Sequence, residues 1–552
     1  MRLVILPETA LCHRTPTDKD IHPTPHGGRP QVSQPTSPGH SEPEGQPAPT
    51  SATGVPAPSA NGDGKAAAPA SNGDGTQKPA PVATAPVAVG GHGGGRPGRR
   101  IRYTADLTTG SVRKHLWKLA WPQWLENVLG VLEQVIDLFW AGRLAGGYRS
   151  IAGLGVAQTF TTFGPQVRMG FDQGLRAMVS RAVGAGDIAL ANHISLQALT
   201  LTLLYSLVMI AIGFFLTDFL LGAIAVSDAI KAETSAYMKV QFMGTAGIGF
   251  RNVAGSMLQA SGDVMTPLKA TTVFRVVSFV LTPLLMFGWL GFPAFGLMGV
   301  AIAYVIAQLA GAVVNYWALF RGTSRLHLTF RSYRVDFRIL GRMLRIGIPA
   351  SIAGTERAIS QLVLLRLVTP FGDTAVAAYS LARRIEMVTN FGGMGIGNAA
   401  GIMVGQNLGA GKPDRARQAL KWGLAIAAAV KLVVGALVFA SAAYFVLLFT
   451  TEAGVVDMGA TWLRIVAISA LFLGLTQVFQ QAFNTAGDTG TVALIVFASV
   501  FFIEMPLAWV LAYPLGMGPL GVAYANLIGV AARTGFFVPM YYWDRWLKIK
   551  VI

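Results

Sequence analysis

Three carboxylates, Glu126, Glu133 and Asp137, stand within one apolar stretch of this 552-residue chain. Steps of 7 and 4 residues put them within about 40° of one another on a helix, along about 16 Å of its length. They form a single acidic stripe. Three such groups cannot all stay ionised cheaply in a low dielectric, so at least one is expected to carry a proton. That is the chemistry of an ion-coupling site. For Glu126, nearest the start of the stretch, the plainer alternative is a side chain that reaches water by extending along its helix. Glu356, in a later apolar stretch, completes the ion-coupling candidates.

Arginines are also placed where apolar residues dominate: Arg168, Arg176, Arg251, Arg275, Arg366, Arg383 and Arg384. Asp172 lies four residues from both Arg168 and Arg176, the spacing of an ion-pair ladder on one helix face. Unpaired buried charge costs several kcal/mol, so the expected partners of the arginines are Glu126, Glu133, Asp137, Glu356 and Glu504. The alternative is a cavity attractive to anionic or zwitterionic molecules. Gln158, Asp172, Arg176, Arg251, Thr282, Asn390 and Glu504 are the residues expected to line a substrate cavity. All eight histidines fall in the N-terminal segment or near the ends of apolar stretches, which removes the usual general base and metal ligand from their interior. No cofactor or metal is expected. The lone cysteine, Cys12, excludes an intrachain disulfide.

The elements that must position these groups follow from composition. The chain is 52% hydrophobic and 13% charged, with a mean hydropathy of +0.48, where soluble domains carry about a quarter charged residues. After residue 110 the apolar residues form runs long enough to cross a hydrocarbon core of about 30 Å. The alternating strands of a closed barrel are absent. An all-α polytopic membrane protein of about twelve helices is therefore expected. Spans are predicted near 116–140, 153–181, 195–218, 237–260, 270–290 and 297–320. A second set is predicted near 344–369, 377–405, 420–449, 459–484, 490–514 and 519–542. Residues 1–105, rich in Pro, Gly and Ala, lack the apolar content to offset ordering entropy and are expected to be disordered.

Basic residues cluster before the first span, in the segment 322–343, after the eighth span, and in the tail 543–552. These positions share one side of a twelve-span chain, so both termini are expected in the cytoplasm and the protein in the cell (inner) membrane. The same clusters account for most of the +17 net charge without nucleic acid as a partner. A small-molecule substrate, the lipid bilayer and a monomeric state are expected instead.

Segments of the first half recur in the second. SIAGLGVA at 150 answers AVAAYSLA at 375, VGAGD at 183 answers LGAGK at 408, and QASGD at 259 answers NTAGD at 484, each displaced by 225. Each six-helix unit has an even number of spans, so both copies enter the membrane in the same direction. The halves are an N-lobe at 110–321 and a C-lobe at 344–542, joined by the basic linker 322–343. Gly393, Gly397, Gly401 and Gly405 form a ridge at four-residue spacing, suited to close helix packing or to a hinge.

Pro122 followed by IDLFWAGRLAG and SIAGLG, the VGAGD turn, LQASGDVMTPL, and in the second copy IGIPASIAG, AVAAYSLARRI, GQNLGAGKPDRA and FNTAGDTGT resemble the multidrug and toxic compound extrusion (MATE) transporters over about residues 110–542. The resemblance implies a cation-coupled efflux antiporter built as a V-shaped pair of six-helix bundles. It singles out Asp137, the acid of IDLFWAGRLAG, as the proton site. The second acid usual before the proline of the fifth span is replaced by Thr282 before Pro283. For a sodium site in the second lobe, Glu356 matches the seventh span while the tenth offers only Arg464. Protons are expected, with sodium the alternative. The rivals are a flippase for lipid-linked precursors from the same superfamily and a membrane-embedded enzyme. No phosphate-cradling loop or nucleophile elbow supports the latter.

Overall fold

The structure is a computed structural model that describes residues 106–141, 163–223, 228–331, 333–549 and 551, with the side chains at 131–139, 141, 163, 223, 228–233, 297, 357 and 388–392 outside the described set. Among the described residues there are twelve long helices and no strand. The N-lobe holds α1 (Val112–Ala141), α2 (Phe163–Gly184), α3 (Ile188–Phe215), α4 (Asp228–Ala260), α5 (Met265–Phe287) and α6 (Leu297–Arg321). The C-lobe holds α7 (Phe337–Val368), α8 (Asp373–Gly409), α9 (Pro413–Ala440), α10 (Ala453–Ala486), α11 (Thr489–Ala512) and α12 (Pro519–Tyr542). Seven of them, α3, α5, α6 and α9 to α12, are long and apolar enough to cross a membrane on length and composition alone. The other five are α1, α2, α4, α7 and α8. They carry the ionisable residues or the glycine ridge singled out above, and these lower their apolar content.

Local signals set the ends of the helices. Asp187 caps α3 by accepting the Leu190 N–H at 2.8 Å, satisfying a donor the first turn leaves free. The QASGD and NTAGD turns behave alike: Asp263 accepts from the Thr266 hydroxyl at 2.7 Å and Asp488 from the Thr491 hydroxyl at 2.6 Å. Burial pushes the Asp263 carboxyl up, against the lowering effect of its Thr266 and Met265 hydrogen bonds. Gly487 ends α10 at φ +95°, a left-handed geometry with a low barrier only for residues without Cβ. Pro122 and Pro349 lie inside α1 and α7 rather than at their starts.

Helix α7 begins at Phe337, within the segment read as linker. The residues before it are built onto the N-lobe: Leu326 and Leu328 are buried, and the Gln197 side chain donates to the Arg334 carbonyl at 2.6 Å and accepts the Asp336 N–H at 3.0 Å.

The duplication is visible in the packing. In the N-lobe α4 packs on α2, α3 and α6, and α5 on α6; in the C-lobe α10 packs on α8, α9 and α12, and α11 on α12. Across the lobes α2 meets α7 and α1 meets α8. Two glycines displaced by 225 permit both approaches. A Cβ at Gly170 would strike Ser351 and the Gly347 carbonyl of α7, and one at Gly395 would lie 2.9 Å from the Trp124 nitrogen of α1. The helix-packing reading of the ridge holds for Gly397 and Gly401. A Cβ there would come within 3.0 Å and 2.8 Å of the Gln477 and Gln481 carbonyls of α10.

On the face that holds residues 106–111, 543–549 and 551, each lobe grips the ends of the other. Arg181 of α2 donates to the Ala486 carbonyl at the end of α10, and Gln406 of α8 donates to the Ala260 carbonyl at the end of α4, both at 2.8 Å. Arg415 donates to the Thr109 carbonyl at 2.6 Å, and Val551 is buried among N-lobe residues such as Leu258 and Leu326.

Candidate functional site

A cavity of about 210 Å³ opens between α1, α2, α4 and α6, with α8 and α10 contributing one edge. That is space for about seven waters at ~30 Å³ each. Helix α1 supplies Gln123 and Glu126; α2 supplies Arg168, Asp172, Gln173 and Arg176; α4 supplies Arg251, Ser256 and Gln259; α6 supplies Asn315. From the other lobe come Met394, Asn398 and Gln481.

The charged groups are treated differently from one another. Arg168 and Asp172 form an ion pair at 2.8 Å, half of the predicted ladder. Arg176 does not complete it. Its guanidinium donates instead to the Ser256 hydroxyl of α4, at 3.4 Å from Nε and 3.3 Å from Nη2. Arg251 donates to Gln308 Oε1 at 2.6 Å and to Thr271 Oγ1 at 3.1 Å, and lies 4.9 Å from the centroid of the Phe274 ring. Glu126 accepts from the Thr271 hydroxyl at 2.8 Å and from Gln259 Nε2 at 3.3 Å. A chain of hydrogen bonds thus runs from Arg251 through Thr271 to Glu126.

Of the residues expected to do chemistry, Glu126, Asp172, Arg176 and Arg251 meet at this cavity. Glu133 and Asp137 lie on α1 as predicted, but their side chains, like that of Asn390 on α8, are outside the described set, and Gln158 lies outside the described residues altogether. Thr282 does not reach the cavity. It is buried on α5, 15 residues beyond the lining residue Pro267, or about 22 Å along the helix axis.

Glu504 is also absent from the cavity wall, because it is held elsewhere. It and Glu356 flank Arg533 of α12, at 3.5 Å and 3.9 Å from Nη2. Asn526 donates to Glu504 at 2.7 Å, and Arg533 Nε donates to the Ser499 hydroxyl at 2.8 Å. Ser499 and Glu504 bound a π-helical turn in α11. Residues five apart on an α-helix diverge by about 140°, whereas the wider i→i+5 turn brings them to one side. Both carboxylates are buried. Glu356 and Glu504 therefore form a packed ionic cluster with Arg533.

Sequence reasoning missed the carboxamides of the cavity wall and Arg533. The first carry no charge to mark them. Arg533 had a signal, a guanidinium within the last predicted span.

The MatE family description matches residues 122–284 and again residues 349–510. The chain belongs to the MatE family. Its two matches are displaced by 227 at their starts and 226 at their ends, close to the displacement of the sequence repeat. Among MatE-type relatives, a protein of Thermotoga maritima described as probable multidrug resistance protein NorM is 22% identical over 444 residues, covering 80% of this chain and 94% of that protein. A protein of Shewanella oneidensis described as an FAD transporter is 23% identical over 410 residues, covering 72% and 89%. A solved structure described as the outward-facing conformation of a multidrug resistance MATE family transporter superposes with a TM-score of 0.73 at 20% identity, covering 80% of this chain and 98% of that one. This MatE chain thus has the two-lobed, twelve-helix fold of a transporter family.

Proposed function

We propose that the protein is a proton-coupled antiporter that exports small organic molecules by alternating access, with both termini in the cytoplasm and Glu126 as a proton-carrying group. The observation that carries this reading is Glu126 itself. It is a cavity-wall carboxylate held by two neutral donors, Thr271 and Gln259, with no cation among the described residues at ion-pair distance. Protonation at Oε2 turns the oxygen that accepts from Gln259 Nε2 into a donor, so the Gln259 contact is lost while Oε1 keeps its bond from Thr271. A proton arriving at Glu126 thereby alters the wall that contacts substrate, which is the linkage an antiporter needs. Asp137 and Glu133, further along the same helix, extend the acidic path in this reading, and sodium coupling at Glu356 is the competing assignment.

Inverted membrane vesicles with proton and sodium gradients imposed separately test it, with efflux of a fluorescent substrate panel as the readout. Glu126→Gln should remove proton-driven transport at unchanged membrane abundance, and Glu356→Gln should leave it largely intact. Wild-type proton-driven rates in Glu126→Gln, or transport that follows only the sodium gradient, would refute the proposal.

A further inference from the structure

Polar groups in the cavity wall divide by what they lack. Arg176 and Arg251 make hydrogen bonds only to neutral groups, Ser256, Gln308 and Thr271. No carboxylate among the described residues lies at ion-pair distance from either. Removing a guanidinium from bulk water without an anionic partner costs several kcal/mol, and the protein sustains that cost twice around one cavity. An anionic group entering there finds two donors already oriented.

The carboxamides lack the opposite partner. Gln123, Gln259 and Asn315 are at most 6% exposed. Each gives its NH₂ group to a fixed acceptor: the Leu119 carbonyl at 2.9 Å, Glu126 at 3.3 Å and the Arg251 carbonyl at 3.1 Å. Those bonds set the orientation of each amide, and each oxygen is left without a protein donor. Glu126 adds a negative charge on the same wall.

We infer that the cavity binds a small zwitterion, with its carboxylate or phosphate on Arg176 and Arg251 and its ammonium on Glu126. A lipophilic cation meets two guanidinium charges, and a simple anion meets Glu126; only a molecule with both ends satisfies both sets. The inference deepens the antiport reading and rests on it for direction: a proton on Glu126 removes the partner of the ammonium, so proton uptake and substrate release coincide. A cavity of about 210 Å³ suits a molecule of dipeptide size.

The test is equilibrium binding at pH 7 to the full-length protein in lipid nanodiscs, using tritiated alanyl-alanine, its N-acetyl derivative and its methyl ester. These share one skeleton and present a zwitterion, an anion and a cation. The zwitterion should bind at least tenfold more tightly than either blocked form. Arg251→Gln and Arg176→Gln should each weaken the zwitterion and the anion about tenfold and bind the cation no more weakly than before, while Glu126→Gln should weaken only the zwitterion and the cation. If the methyl ester binds as tightly as the zwitterion, or none of the three binds, the inference fails. Proton-driven export of a cation with no zwitterion binding would sink it while leaving the antiport reading intact. Zwitterion binding without proton-driven flux would do the reverse.

Discussion

At the same register of the two repeats, α2 carries Arg168, Asp172 and Arg176 where α8 carries Gly393, Gly397 and Gly401, each pair displaced by 225. In the N-lobe the three charged residues line the cavity. In the C-lobe the glycines let α8 lie against the α10 backbone, with no room for a methyl group. C-lobe ion pairs form away from this ridge, where Glu356 and Glu504 flank Arg533 and Arg383 meets Glu386 at 2.6 Å. Duplication supplied two equal scaffolds, and their side chains have made one a receptacle and the other a clamp. Beside the Arg168–Asp172 pair, the first holds Arg176, Arg251 and Glu126 on neutral partners, whereas the second holds Arg533 on carboxylates.

The largest effect expected from this contrast is at Arg533. Arg533→Leu leaves Glu356 and Glu504 buried without a shared cation, so stability should fall by about 3–5 kcal/mol, the usual cost of breaking a buried ion pair from one side. Apparent melting in detergent, followed by tryptophan fluorescence, measures it. Arg176→Leu, which removes a guanidinium that has no carboxylate, should cost far less. Comparable losses in both lobes would erase the distinction.

A smaller effect should separate the same two helices without charge. Gly401→Ala places a methyl against the Gln481 carbonyl, and overpacking of this kind costs about 1–3 kcal/mol. Arg176→Ala, at the matching position of α2, should stay within about 1 kcal/mol of wild type because the cavity is already open there. Equal melting points for the two variants would show that the ridge is loosely packed.

The smallest expected difference lies at the helix starts. Asp187 caps α3, whereas Lys412, displaced from it by 225, makes no side-chain cap and is followed by Pro413 at the first turn of α9. Asp187→Ala should lower stability by about 1 kcal/mol, and Lys412→Ala by less than about 0.5 kcal/mol, as at other exposed positions. Chemical denaturation of the two variants side by side checks the order.

Much of the architecture was legible because it rests on signals that hydropathy and repetition carry directly. Twelve apolar segments, turns such as VGAGD and QASGD, and a constant displacement predicted the helices and the pairing of lobes. The site was legible only in part. Glu126, Asp172, Arg176 and Arg251 stood out because charge is rare in apolar segments, yet no spacing rule says which charges will meet. Glu504 was expected at the substrate cavity, and the π-helical turn that rotates it towards Arg533 leaves no clear trace in apolar periodicity. Thr282 was suggested by its place before Pro283, but distance along α5 separates it from the cavity. The carboxamides Gln123, Gln259 and Asn315 acquire meaning only when the hydrogen bonds made by their nitrogens are known.

The exchanged grips on the face holding the chain ends have a consequence for how the molecule is put together. Arg181 closes a helix end that belongs to the C-lobe, and Gln406 closes one that belongs to the N-lobe. Neither lobe finishes its own fourth helix. A half-molecule ending in the linker would carry an open carbonyl at Ala260, and its partner one at Ala486, each an invitation to the other's missing donor. Separately expressed halves should therefore find each other through these ends, and the order of synthesis makes the first lobe wait, incomplete, until Gln406 of the second has been made.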